Sequence, residues 1–213
     1  VPHATIRFWD LRFSVDNRFL SKRLDDSGYF PHKYIMNGNA AYNQFLNGGF
    51  PESMLEKGEA LRYEYLLKSN RLNPERHLPA NSIKILLLGD YIKEETVSML
   101  KLLSQCTFTS KSEIEFVLKP HPKSPIDPNM FPQLKLTIEN RSFDEIQFNF
   151  TICISTNMTS ASVDAYLNGC NVIIMHSFNS LNLSALRGFR DVQFFRSSRE
   201  LDDILLSLNN SLK

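Results

Sequence analysis

Two short polar segments of the chain carry side-chain types that bind phosphate. In KPHPK (119–123), two prolines restrict the backbone around a histidine, and two lysines supply positive charge for an anionic group. In STNMTS (155–160), hydroxyl groups and backbone N–H groups meet the positive end of a predicted helix. We therefore predict a phosphate site with these members: Lys119, His121, Pro122, Lys123, Ser155, Thr156, Thr159 and Ser160.

Each segment also has an interpretation without a ligand. Ser, Thr and Asn cap helices in many proteins, and KPHPK is also typical of a proline-rich turn with an incidental histidine. The position of both segments at the ends of predicted strands favours the phosphate site.

A regular alternation of strands and helices positions the two segments. Apolar runs predict strands over 83–91, 113–122, 134–140, 151–155, 172–175 and 192–195, and helical periodicity predicts helices over 93–106, 142–150, 159–167 and 197–212. Such an alternation predicts an α/β fold: a Rossmann-like, doubly wound parallel sheet that is covered by helices on both faces. Ligands of these sheets bind at the carboxyl ends of the strands.

The same rule singles out further polar residues that follow predicted strands. Gly89 and Asp90 lie at the carboxyl end of the first strand, and Gly89 would permit the close approach of a ligand. Glu139 lies at the carboxyl end of the third strand, and His176 follows the fifth. We add Gly89, Asp90 and Glu139 to the predicted nucleotide-binding residues.

The first 80 residues are less regular. A short strand over 34–36 and a short helix over 39–46 are predicted, and a Pro-rich polar stretch over 71–82 is typical of a linker. We therefore divide the chain into an N-terminal segment, 1–80, and a Rossmann-like domain, 81–213. The sequence opens at Val1 within what has the pattern of an element, so we expect a preceding domain to be missing.

Composition excludes several classes of protein. A net charge of +1, without a long Lys/Arg run, argues against a nucleic-acid partner. The three cysteines lie in or beside apolar elements without metal-ligand spacing, which indicates buried thiols in a reducing compartment. No apolar run approaches the roughly 18 residues of a membrane span. We expect a cytoplasmic protein that could still work at the inner face of the membrane.

The paired segments resemble the HP and Ser/Thr motifs of bacterial GT-B glycosyltransferases. These families include sialyl- and polysialyltransferases, capsule Kdo transferases and, more distantly, CDP-glycerol glycerophosphotransferases, in which the two motifs clasp the phosphate and cytidine of a CMP- or CDP-linked donor. VDAYLNGCNVIIM (163–175) also resembles a GT-B pattern in which a Glu binds the donor ribose. By that match Asp164 stands at the ribose position, with a shorter reach than Glu, and Asn171 stands where Pro is usual.

The opening of the chain resembles surface-polysaccharide enzymes of the same group. HATIRFWDLRF (3–13) is similar to the segment near the end of their amino-terminal domain, and GEALRY (58–63) to the segment that enters the carboxy-terminal domain. A comparable His-containing segment of teichoic acid polymerases lies at the cleft, which would make His3 a candidate catalytic base. The absent half would normally bind the acceptor.

The resemblance implies that 81–213 is a nucleotide-sugar-binding domain and that 1–80 is part of an acceptor-side domain or an inter-domain region. It also implies a glycosyltransferase that needs neither a metal nor another cofactor. It would move a sugar from a nucleotide-sugar donor to a glycan or glycolipid acceptor of a surface polysaccharide or lipopolysaccharide. His121, Lys119 and Lys123 would stabilise the negative charge on the departing phosphate, so His121 joins His3 as a candidate catalytic residue. Two alternatives remain: a UDP-sugar epimerase of GT-B architecture, and a nucleotide-binding or assembly module without turnover.

Overall fold

The computed structural model describes residues 6, 10–16, 18, 31–59, 61–65, 83–110, 114–143, 145, 146 and 150–211. The chain divides into two compact units, Val1–Ser69 and Asn70–Lys213. The predicted boundary near residue 80 falls in a stretch, 66–82, that is outside the described residues. That boundary stays a prediction.

The first unit contains a small α/β element around an aromatic core. Strand β1 (Tyr34–Met36), helix α1 (Asn39–Asn47) and strand β2 (Leu55–Lys57) follow one another, and β1 pairs with β2 in parallel. Phe45 of α1 is fully buried and stacks on Phe13 with ring centroids 4.6 Å apart. The predicted strand over 34–36 and helix over 39–46 are confirmed; β2, which is only three residues long, was not predicted.

The second unit is a Rossmann-like α/β domain, as the sequence predicts. Its strands are β3 (Ile83–Leu88), β4 (Ile114–Lys119), β5 (Thr137–Ile138), β6 (Ile152–Thr156), β7 (Asn171–Met175) and β8 (Gln193–Phe195), and its helices are α2 (Lys93–Ser104), α3 (Ala161–Leu167) and α4 (Ser198–Ser211). The strands are all parallel, in the order β5-β4-β3-β6-β7-β8. Numbered within this sheet alone, the order is 3-2-1-4-5-6, that of dinucleotide-binding Rossmann folds.

The central strands read as continuous apolar runs because both of their faces are buried. Ile85 and Leu87 of β3 pack with Met99 and Leu103 of α2 on one face of the sheet. On the other face, Leu86 and Leu88 pack in a cluster that includes Ala165 of α3. Each strand residue therefore contributes to one of two cores.

Two predicted elements between β4 and β6 are wrong in extent or type. The strand predicted over 134–140 is only Thr137–Ile138, because prolines begin short 3₁₀ turns at 128–130 and 132–134 and Lys135 has a φ of 47° that redirects the chain. None of the described residues in 142–150 is helical. There, Ser142 donates through both its amide and its hydroxyl to Glu145 at 2.9 and 2.7 Å, and the Ile146 amide donates to the Ser142 carbonyl at 3.1 Å, so the predicted cap is formed. The single turn that it closes does not continue as a helix among the described residues.

The remaining elements of the second unit agree with the prediction within a few residues. The C-terminal helix begins at the predicted cap, where the Glu200 amide donates to Ser197 Oγ at 3.2 Å and the Glu200 carboxylate accepts from the Arg196 amide at 2.6 Å. Among the described helices, none is both long enough and apolar enough to cross a membrane.

Candidate functional site

The strand order of the second unit reverses between β3 and β6, so the carboxyl ends of these two strands form the switch point at which Rossmann-like sheets bind ligands. Thr156, at the end of β6, donates a hydrogen bond to the carboxylate of Asp90, which follows β3. The same carboxylate accepts from the Ile92 amide at 3.0 Å, and the Asp90 amide donates to Thr96 Oγ1 at 2.8 Å. Asp90 and Thr156 are both buried, and their polar groups bond to the protein itself.

The KPHPK turn packs directly against the end of β3. Gly89 donates its amide to the Lys119 carbonyl at 2.9 Å. A Cβ at position 89 would lie 3.0 Å from the His121 nitrogen and 3.0 Å from Pro120 Cα. The absence of a side chain at Gly89 therefore lets the turn approach β3 this closely. The group that approaches Gly89 is the backbone of the KPHPK turn, and contact of Gly89 with a ligand stays a prediction.

Hydrogen bonds within the turn fix the ring of His121. The Lys123 amide donates to His121 Nδ1 at 3.2 Å, and the Ser124 amide donates to the His121 carbonyl at 2.8 Å. Because Nδ1 accepts this hydrogen bond, it carries no proton, and the proton of the neutral ring is on Nε2. His121 Nε2–H can then act as a donor to an anion.

Tyr91 joins the loop after β3 to the same turn, and the sequence analysis missed it. Its ring meets the His121 ring edge to face at 5.4 Å, and Lys123 Nζ lies 5.9 Å from the Tyr91 ring centre. Its carbonyl accepts from Ser124 Oγ at 2.5 Å. The signal was present in the sequence, since Tyr91 follows Gly89 and Asp90 at the strand end.

The two predicted lysines have different surroundings. Lys119 Nζ donates to the Arg141 carbonyl and lies 5.5 Å from the Phe143 ring centre, and burial lowers its pKa. Lys123 is exposed, as is Pro122 beside it. Lys119 therefore holds the segment after β5, whereas Lys123 leaves its ammonium group at the rim of the turn.

Glu139 is ionised and paired. Its carboxylate accepts from the Arg141 guanidinium at 2.9 and 2.6 Å, and these hydrogen bonds lower the pKa of Glu139 to about 2. A carboxylate occupied by Arg141 has less capacity to bind a ribose hydroxyl. Arg141 is a second residue that the sequence analysis did not select.

The Ser/Thr turn lies two strands away from the KPHPK turn, a distance of about 10 Å across the sheet. Ser155 is fully buried, and its hydroxyl has no hydrogen-bond partner among the described residues. Thr159 Oγ1 accepts from the Ala161 amide at 3.4 Å, and Ser160 precedes α3 without capping it through its side chain. Asp164, on α3, is buried.

A third group of polar residues lies at the ends of β7 and β8. His176 follows β7, as the sequence analysis noted, and Arg196 follows β8, a strand end that it did not consider. The Arg196 guanidinium donates to His176 Nδ1 at 3.2 Å, and His176 Nε2 donates to the Ser180 carbonyl at 2.9 Å. Asn157, after β6, reaches the same turn with its amide group.

The remaining predictions concern His3 and a metal. His3 is outside the described residues, so its role as a base stays a prediction. Within the described part of the chain, no group of three or more His, Cys, Asp or Glu side chains is arranged to hold a metal ion.

No family model and no curated protein matches this sequence. Among solved structures, the chain is similar to UDP-GlcNAc 2-epimerase from Neisseria meningitidis, crystallised with UDP-GlcNAc. The TM-score is 0.54, with 15% sequence identity over 98% of this chain. The likeness supports a GT-B-type fold. The chain spans 60% of the length of that epimerase chain.

Proposed function

We propose that the second unit binds a nucleotide-sugar at the carboxyl edge of its sheet and that the protein is a glycosyltransferase. The donor would be CMP- or CDP-linked, and the acceptor would be a glycan or glycolipid of a surface polysaccharide. The predicted preceding domain and a position at the inner membrane face belong to the same proposal.

The observation that carries the proposal is the state of the His121 ring at the edge of the sheet. Its Nδ1 is occupied by the Lys123 amide, and its Nε2 has no such partner among the hydrogen bonds of the turn. A donor without an acceptor among the described residues, beside the exposed Lys123 and next to the switch point, suits the phosphate of a nucleotide. The hydroxyl of Ser155, at the end of β6, has no partner among the described residues, which supports a polar ligand on the other side of β3.

The chemistry follows from where charge develops. The bond between the anomeric carbon of the donor and its phosphate oxygen breaks, and the electron pair leaves with the nucleotide. The His121 Nε2–H and the Lys123 ammonium group stabilise the negative charge on that phosphate. The acceptor hydroxyl oxygen forms the new bond to the anomeric carbon and gives its proton to a base, for which His3 is the candidate.

A nucleotide-sugar epimerase is the second candidate, because the structural neighbour is a UDP-GlcNAc 2-epimerase of the same fold type. Its reaction needs no acceptor. The acids at the edge of the described sheet do not favour it, because Asp90 is bonded to Thr156 and Ile92 and Glu139 is paired with Arg141. The third candidate is an assembly module that binds a partner and catalyses no reaction.

The test is calorimetric titration of the full chain with CMP, CDP and UDP. We compare wild type with His121→Ala and with His32→Ala, a matched control at an exposed histidine of the first unit. We expect CMP or CDP binding to fall by about tenfold or more in His121→Ala, a loss of about 1.4 kcal/mol. Binding by His32→Ala should equal that of wild type.

Other outcomes separate the alternatives. Preference for UDP, with conversion of UDP-GlcNAc to a stereoisomer in proton NMR spectra without an acceptor, would establish the epimerase. No nucleotide binding by the folded wild type would overturn the nucleotide site and favour the assembly module.

A comparison of the lysines tests the geometry of the site. Lys123→Ala should weaken nucleotide binding without lowering stability, since Lys123 is exposed. Lys119→Ala should lower stability as well, because its ammonium group bonds the Arg141 carbonyl. Lys101→Ala, at an exposed lysine in the last turn of α2, is the control and should change neither.

A further inference from the structure

The turn after β7 presents apolar side chains to solvent. Phe178 is 73% exposed and Leu181 is 66% exposed, the highest values among the large apolar residues described in the second unit. Exposed apolar groups with polar neighbours are typical of binding surfaces. We refer to residues 177–181 as the Phe178 turn.

Hydrogen bonds from three strand ends hold this turn in place. Asn157, after β6, donates through Nδ2 to the Leu181 carbonyl at 3.1 Å and to Ser180 Oγ at 3.3 Å. His176, after β7, donates through Nε2 to the Ser180 carbonyl at 2.9 Å. Arg196, after β8, holds the His176 ring through Nδ1 at 3.2 Å. The turn is pre-organised, which lowers the entropic cost of binding a ligand.

Arg196 also fixes the orientation of the Phe178 ring. Its guanidinium carbon lies 5.4 Å from the ring centre, within the range of a cation–π contact. Because the ring is nonetheless 73% exposed, one face meets the cation and most of the other remains open to solvent. An aromatic face held in this way offers a flat apolar platform.

The composition of the turn indicates which ligand would occupy this platform. The polar side chains of the turn itself are neutral, with Asn179 and Ser180 exposed between Phe178 and Leu181, and Arg196 is the cation that lies against the Phe178 ring. A membrane surface would call for an apolar face flanked by several Lys or Arg residues, which residues 177–182 lack. A stable protein interface buries about 800 Å² per partner, more than two side chains provide. A saccharide presents an apolar C–H face together with hydroxyl groups, and it fits neutral amide and hydroxyl groups beside an aromatic ring.

We propose that the Phe178 turn binds a saccharide, with a pyranose ring stacked on Phe178 and hydroxyl groups bonded to Asn179 and Ser180. The turn reaches the switch point through Asn157, so its ligand would lie next to the predicted nucleotide site. The assignment of the Phe178 turn as the glycan subsite of a transferase rests on the proposed function. Saccharide binding itself needs no nucleotide and is measured without one.

The experiment uses the full chain on an array of immobilised oligosaccharides built from hexoses, N-acetylhexosamines and sialic acids. The strongest binder is then titrated in solution by NMR. We expect Phe178→Ala to weaken binding by about tenfold, the loss of one aromatic contact, and Phe178→Trp to retain it. Met130→Ala, which removes another exposed apolar side chain, is the control and should bind as wild type does.

Three outcomes would overturn the inference: no bound oligosaccharide on the array with a folded wild type, equal binding by Phe178→Ala, or Phe178-dependent binding to phosphatidylcholine–phosphatidylglycerol vesicles in place of oligosaccharides. The proposed function is tested separately, by nucleotide binding. A chain that binds a saccharide through Phe178 but binds no nucleotide keeps this inference and loses the nucleotide site, and His121→Ala should leave saccharide binding unchanged.

Discussion

The hydroxyl of Thr156 donates a hydrogen bond to the carboxylate of Asp90 and so joins the ends of β6 and β3, 66 residues apart in sequence. Both side chains are buried, and Asp90 also accepts from the Ile92 amide. A buried carboxylate requires hydrogen-bond donors from the protein. The pair therefore fixes the geometry of the switch point before any ligand arrives.

Replacing Thr156 by Val should destabilise the second unit. The substitution keeps the shape of the side chain and removes one donor from a buried carboxylate, a loss of about 1–3 kcal/mol. Urea unfolding measures the free energy of unfolding. Thr137→Val, at an exposed threonine of β5, is the matched control and should change stability little. Equal stabilities of Thr156→Val and wild type would show that the pair does not hold the strand ends.

Replacing Gly89 by Ala should displace the KPHPK turn. The added Cβ would meet the backbone of Pro120 and His121 at 3.0 Å, and backbone atoms cannot move aside as a side chain can. We expect a loss of about 1–3 kcal/mol in unfolding free energy. Amide chemical shifts of residues 119–124 should change more than those elsewhere in the sheet. Unchanged stability together with unchanged shifts would contradict the close contact.

The pKa of Glu139 should depend on Arg141. In the folded protein it lies at about 2, below the ordinary value of 4.5. The pair therefore adds stability above pH 4.5, and this contribution is lost as the pH falls from 4.5 towards 2. Since Arg141 is largely exposed, solvent screening keeps this contribution small.

Carbon-13 NMR titration of the Glu139 carboxyl group measures this effect. Arg141→Gln should raise the pKa of Glu139 towards 4.5, with Lys119 still lowering it slightly. Arg18→Gln breaks a comparable exposed pair in the first unit and should leave Glu139 unchanged. A Glu139 pKa that does not respond to Arg141→Gln would refute the pairing.

The three cysteines should be unreactive in the folded protein. Cys106, Cys153 and Cys170 are free and buried; burial raises the pKa of Cys106 to about 12 and that of Cys153 well above its ordinary value. Because the thiolate is the reactive form, DTNB should label none of them until the chain is unfolded. Ser98→Cys places a thiol on the exposed side of α2 and should react at once. Rapid labelling of wild type would contradict this burial.

The sequence sufficed to predict the fold where one local pattern dominates. Runs such as 85–88 and 152–154 are apolar at every position, which marks strands buried on both faces, and the Ser197–Glu200 cap marks the start of the last helix. The segment 134–140 was predicted less well, because a proline begins a 3₁₀ turn there and Lys135 has a φ of 47°. In 142–150 the cap between Ser142 and Glu145 forms, but no helix continues from it among the described residues.

What the sequence determined by itself was which residues follow each strand, and therefore which polar groups share the carboxyl edge of a parallel sheet. Only the tertiary structure decided how each group is used. Asp90, Lys119 and Glu139 are all polar residues at strand ends, yet Asp90 bonds to Thr156, and Lys119 and Glu139 bond to Arg141. His121 Nε2 and the Lys123 ammonium group have no such hydrogen bond among the described residues. The physical reason is that a hydrogen-bond partner is chosen by strand order, which brings together residues as distant in sequence as Asp90 and Thr156.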